Sequence, residues 1–186
     1  MSATISKSIL VPSRFIFFMW AIFCVEFFLG IELAGYGIYP RTLEGLIGIV
    51  TAPFIHGNVP HVANNTLPLL FLGTAIFYFY DKIAMQVFVQ CYFLTGILVW
   101  LFARSSFHIG ASGLIYGLAF FLISFGIMRG DFKSIVISII VFIFYNGLFY
   151  GVLPTQSGVS WESHLLGAIV GVFTAWRYSE YKSVSS

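Results

Sequence analysis

Long apolar runs alternate along this chain with short clusters of charges and turn formers. Six stretches stand out, near Phe15–Ala34, His61–Tyr80, Ile83–Ala103, Ser112–Met128, Ser134–Tyr150 and His164–Trp176. About 20 apolar residues in a helix cross the roughly 30 Å hydrocarbon core of a bilayer. Backbone groups in lipid have no water to bond, so each stretch is predicted to be helical. The breaks are Gly35 to Pro60, Asp81-Lys82, Arg104-Ser105-Ser106, Arg129-Gly130-Asp131, and Gly151 to Gly158 around Pro154. Glycine, proline and charge punctuate helices in this way. The pattern predicts an all-α membrane protein, a six-transmembrane-helix bundle forming one integral membrane domain over residues 1–186.

Composition sets the solvent. Hydrophobic residues make up 59% of the chain and charged residues 9%, where a soluble domain carries about 25% charged residues. Mean hydropathy is +0.95. Such a chain cannot cover itself with a solvated surface, so its principal partner is the lipid bilayer. A net charge of +2 is too small and too dispersed to suggest nucleic acid. Cys24 and Cys91 both fall inside apolar stretches, where a disulfide between them is not expected.

Cation placement gives the orientation. With the N-terminus inside, Lys7, Arg14, Lys82, Arg129, Lys133, Arg177 and Lys182 all lie on the inner side, and Arg41 and Arg104 on the outer. Inner loops are enriched in Lys and Arg, so the expected topology is N-in, C-in. Trp100, Trp161 and Trp176 fall at span ends, as an aromatic belt requires. The first span is too long for the apolar region of a cleaved leader and lacks a small-x-small cleavage site.

Against this background the polar residues are informative, because ionisable groups at membrane depth are rare and usually functional. All four histidines, His56, His61, His108 and His164, fall on the outer side. At about 1.5 Å per residue, counting from the inner cations places Ser112 about 5 Å below the outer boundary of a ~30 Å core. The same rise puts Asn65 at about 6 Å and His164 at about 10 Å. Three groups from spans two, four and six therefore converge on one level. Gly113 and Gly117 form a small-xxx-small face on span four, and Gly167 and Gly171 form another on span six. Such faces admit close helix packing in lipid. Ser112 and His164 stand at their outer ends.

A serine hydroxyl needs a base to become a nucleophile. His164 can take its proton and return it to a leaving amine. Glu162, two residues earlier, faces away from His164 on a helix, which favours a dyad over a triad. Tyr116 shares a face with Ser112, and its ring can pack on the imidazole. Free N–H groups at the start of span four can stabilise an oxyanion. His61 and Asn65 share one face of span two, and Asn65 is the better donor. His56 either orders its loop or takes part in catalysis. His108 either packs its loop or stands exposed. Glu26 either makes an inward hydrogen bond or relays protons.

Together these residues resemble the rhomboid intramembrane serine proteases, in the bare six-span form of the bacterial GlpG type. The resemblance rests on Gly110-Ala111-Ser112-Gly113, on His56…His61…Asn65, and on Ser163-His164…Gly167…Gly171. It implies Ser112 as nucleophile and His164 as general base. His61, Asn65 and the Ser112 backbone N–H would form the oxyanion hole, with His56, Gly110, Gly113, Tyr116, Gly117, Gly167 and Gly171 in support. It further implies transmembrane protein substrates cut near the outer membrane face, no metal and no cofactor, and a bacterial inner-membrane location with the site open to the periplasm. Span five and the loop after it, Gly151 to Ser160, would move to admit substrate. Ile47-Gly48 stands where many relatives carry Trp-Arg, and Ser163 replaces the usual Ala. A catalytically inactive relative that binds membrane clients, or a small polytopic transporter, are the alternatives. A metalloprotease has no HExxH motif to rest on.

Overall fold

The structure is a computed structural model and describes residues 4–154 and 160–179. Lys182 of the inner cations and residues 155–159 of the Gly151–Ser160 loop lie outside those residues. Six long helices organise the fold: α1 (Leu10–Leu29), α2 (Val59–Phe79), α3 (Asp81–Phe102), α4 (Ser112–Arg129), α5 (Phe132–Tyr145) and α6 (Trp161–Ser179). Among the described residues the β content is one isolated antiparallel bridge, Ile38 with His108. Four helical runs are long and apolar enough to cross a membrane: Ile5–Leu29, α2, α3 and α4. The chain is an integral membrane protein.

Local chemistry sets the ends of these helices. The Asn58 side chain accepts the His61 N–H at 2.8 Å and so starts α2, where polar caps satisfy orphan donors. Asp131 does the same for α5, accepting from Ser134 N at 3.0 Å. Gly130, at φ 71°, ends α4 in a left-handed conformation that costs glycine little.

α4 is the centre of the bundle. Its Leu118, Ala119, Phe121, Leu122 and Phe125 are all fully buried. Its most extensive partner is α6, followed by α5. The α4–α6 seam is built from glycine. A Cβ on Gly167 would overlap the Gly113 carbonyl, and one on Gly171 would overlap the Gly117 carbonyl. The two backbones touch directly, as small-residue faces allow. Phe17, Phe28, Phe71 and Phe144 point outward and stay exposed, which suits a lipid surround.

The structure differs from the sequence reading at several boundaries. α1 begins at Leu10 and stops at Leu29, because Gly30 adopts a left-handed conformation there. The segment after it, expected as a break, folds into short helical turns at Ala34–Tyr36, Glu44–Leu46, Gly48–Thr51 and Ala52–Phe54. α5 ends at Tyr145, ahead of Asn146-Gly147, and one further turn follows at Leu148–Gly151. α6 starts at Trp161, so His164 lies within its first turn.

Candidate active site

Ser112 is the first residue of α4, and the turn before it is held from several sides. Gly110 has φ +99°, and a Cβ there would strike the His61 ring. Both conditions restrict the position to glycine. The Gly110 N–H donates to the Ala52 carbonyl at 2.8 Å. Ile38 and His108 exchange backbone bonds of 3.0 and 2.9 Å. The short-helix segment between α1 and α2 thus forms a bed for the serine turn.

The same turn faces the first turn of α6. His164 Nε2 stands 2.8 Å from Ser112 Oγ, and His164 Nδ1 stands 2.9 Å from the Gly151 carbonyl. The Tyr116 ring lies one turn along α4 from Ser112. It stacks on the imidazole at a centroid distance of 4.2 Å and an interplanar angle of 6°. The hydroxyl and imidazole open into a cavity of about 580 Å³, which His61, Asn65 and Arg104 also line. A hydroxyl hydrogen-bonded to an imidazole can be deprotonated as it attacks a carbonyl carbon.

Groups able to donate hydrogen bonds share the cavity with the hydroxyl, His61 and Asn65 among them. α4 has no side-chain cap, so the first N–H groups of the helix lack intrahelical partners. The Asn65 side chain is buried, and its Nδ2 donates to the His61 carbonyl at 2.9 Å. An amide carries two N–H donors, so a second remains. The His61 ring meets His56 edge to face, with centroids 4.8 Å apart.

His56 is fully buried in the loop ahead of α2. Its Nε2 accepts the Ala111 N–H at 3.5 Å, so Nδ1 carries the proton toward the Phe54 carbonyl at 3.2 Å. Burial and the nearby His61 charge hold its pKa at about 4, against the upward pull of the Phe54 bond. The unfolded chain therefore binds a proton below about pH 6.5 that the folded protein refuses until about pH 4. Stability is complete above pH 6.5 and falls as the pH drops through this window. The loss is about 3 kcal/mol, taken as 1.36 kcal/mol per unit. Thermal unfolding of the purified protein from pH 7 to pH 4.5 should show this decline, and His56→Gln should make it shallower while the buried His108 continues to contribute.

His108 is buried as well, with 2% exposure. Its Nδ1 lies 2.5 Å from Ser160 Oγ, which lies 2.6 Å from Ser163 Oγ. The loop before Ser112 is thereby tied to the start of α6. Burial lowers the His108 pKa, while the Arg104 carbonyl and the Glu162 charge oppose that shift. Glu26 receives the Leu33 N–H at 2.9 Å, a contact that folds the chain back after α1.

Sequence reasoning missed two parts of the site. Gly151 acts through its backbone carbonyl, which leaves no side-chain signal; the sequence marks it only as a turn former. Arg104, which lines the cavity, pairs with Glu162 at 3.0 Å. Glu162 was expected to face away from His164, and opposite charges just after α3 and at the start of α6 were the available clue. Among the described residues, no three His, Cys, Asp or Glu side chains gather closely enough to hold a metal ion.

Comparison with known proteins adds a family. A model described as "Rhomboid domain" matches residues 43–181. An uncharacterised protein of Mycobacterium tuberculosis is 34% identical over 178 residues, covering 89% of this chain and 72% of that protein. One of Mycobacterium leprae is 38% identical over 152 residues, covering 77% and 60%. Rhomboid-like protein 11, chloroplastic, of Arabidopsis thaliana is 28% identical over 186 residues, covering 84% and 64%.

Proposed function

The chain belongs to the rhomboid family, and on that premise we propose that it is an intramembrane serine endopeptidase, hydrolysing peptide bonds in or near transmembrane segments of other membrane proteins. The observation that carries this reading is the 2.8 Å contact between His164 Nε2 and Ser112 Oγ at the wall of a cavity.

In this mechanism Ser112 Oγ attacks the scissile carbonyl carbon while His164 Nε2 takes the hydroxyl proton. The tetrahedral oxyanion accepts hydrogen bonds from the Ser112 N–H, from the free Asn65 N–H and from His61. Collapse breaks the C–N bond, and the imidazolium gives its proton to the leaving amine. Water then attacks the ester, again with His164 as base, and releases the second product. Tyr116 keeps the imidazole plane fixed throughout.

The same reading makes α1 to α6 six membrane spans with both termini inside. Lys7, Arg14, Lys82, Arg129 and Lys133 then face the cytoplasm. The cavity opens near the outer surface, which in a bacterial cell is the periplasmic face of the inner membrane. Ser112 and His164 belong to the catalytic pair; Gly110, Gly113, Gly117, Gly167 and Gly171 hold its backbone.

Reconstitution in liposomes with a single-span substrate tests the proposal. Cleavage should appear with the wild-type chain and stop when a fluorophosphonate occupies Ser112. Asn65→Ala should slow it by about 10²-fold, the loss expected for one oxyanion donor. A wild-type chain that cleaves no membrane substrate and resists the probe would end this reading.

A further inference from the structure

Nδ1 of His164 faces an atom that only accepts. The Gly151 carbonyl oxygen is 2.9 Å away, and a carbonyl has no proton to give. A neutral imidazole carries one N–H, and its partner decides which nitrogen holds it. This contact therefore puts the proton on Nδ1. Nε2 is left with a lone pair toward Ser112 Oγ, 2.8 Å away, which is the form a general base requires. We propose that Gly151 is a positioning residue whose backbone carbonyl orients His164 and fixes its tautomer, the task that a carboxylate performs in a Ser-His-Asp triad. The proposal rests on the protease reading for its catalytic meaning, though not for its geometry.

Two observations support a dedicated role. Glu162 is the carboxylate nearest to His164 in sequence, and it is paired with Arg104 at 3.0 Å. The acceptor on Nδ1 is instead supplied by the one-turn helix Leu148–Gly151 that follows α5. The second observation is space. A Cβ at Gly151 would overlap the Tyr116 hydroxyl and come within 3.3 Å of His164 Nδ1. The backbone at Gly151 has no left-handed φ, so the position needs glycine for room, not for conformation. Without a side chain, the carbonyl can reach the imidazole while Tyr116 stays stacked on it. The carbonyl also stabilises the imidazolium formed during proton transfer, through a stronger hydrogen bond to Nδ1–H.

The test is ¹⁵N NMR of histidine-labelled protein in nanodiscs, with the His164 ring assigned from signals lost in His164→Gln. The wild-type ring, when neutral, should be a single tautomer protonated on Nδ1. Gly151→Ala should give a mixture of tautomers and lower kcat by about 10- to 100-fold at unchanged KM, as when a histidine loses its orienting partner. A wild-type ring protonated on Nε2 overturns the proposal. So does a Gly151→Ala protein that keeps the Nδ1 proton, whether or not kcat falls. If Gly151→Ala does not fold, the wild-type tautomer still decides. The tautomer is read without substrate, so a chain inactive on every peptide would refute the protease reading alone.

Discussion

Ser112→Ala is expected to reduce cleavage of a reconstituted membrane substrate by about 10⁴- to 10⁶-fold, the scale on which serine hydrolases lose activity with their nucleophile. The change removes one oxygen atom. That oxygen contacts His164 Nε2 at 2.8 Å and faces the cavity, so no packing is lost with it. The α4 N-terminus keeps its backbone donors, and the Gly110 and Ala111 bonds to Ala52 and His56 do not involve the side chain. Helix content and thermal midpoint should therefore match the wild-type protein. A product-release assay beside circular dichroism separates the two effects. Persistent cleavage by folded Ser112→Ala protein would show that the hydroxyl is not the nucleophile.

Gly167→Val should damage both structure and activity. A Cβ at this position would overlap the carbonyl of Gly113, the residue next to Ser112. The obstacle is main chain, which cannot rotate away as a side chain can. α6 must shift from α4 by a substantial fraction of an ångström, and the imidazole moves with it. Overpacking of this kind costs about 1–3 kcal/mol, and more where nothing can yield. A misplacement of about 1 Å between reacting groups can cost 10²-fold in rate. The expected result is a lowered midpoint of unfolding in detergent together with near-complete loss of cleavage. Gly35→Ala is the control, since nothing lies within 4 Å of a Cβ there. If Gly167→Val unfolds at the wild-type temperature and cleaves normally, the seam is looser than its geometry implies.

The seam was legible in the sequence because its signal is periodic. Glycines four apart on two apolar runs mark two faces, and Ser112 and His164 stand at their ends. The short helices between α1 and α2 were not legible. Leu46, Ile47, Ile49 and Val50 are apolar, but the run is far shorter than a span and is interrupted by Gly45 and Gly48. These two glycines pack their backbones against Tyr39 and Ile38, a tertiary contact that no local pattern announces. The end of α5 was misplaced because apolar residues resume at Leu148, Phe149 and Tyr150, and the polar Asn146 with Gly147 was read through as part of one run, where the helix stops and a separate turn follows. Gly151 was invisible for a further reason. Every residue carries a carbonyl, and only the fold shows which one meets an imidazole. Arg104 and Glu162 lie 58 residues apart, and their pairing depends on the end of α3 and the start of α6 lying side by side.

The α4–α6 seam also bears on biosynthesis. The hydroxyl lies on α4 and its base on α6, with α5 inserted between them in chain order. A nascent chain leaving the translocon therefore carries Ser112 into the bilayer before His164 exists as folded structure. On the proposed protease reading, the alcohol has no proton acceptor during that interval, and neighbouring nascent helices would be safe from it. On that reading, hydrolytic competence would arise only when the later helix docks.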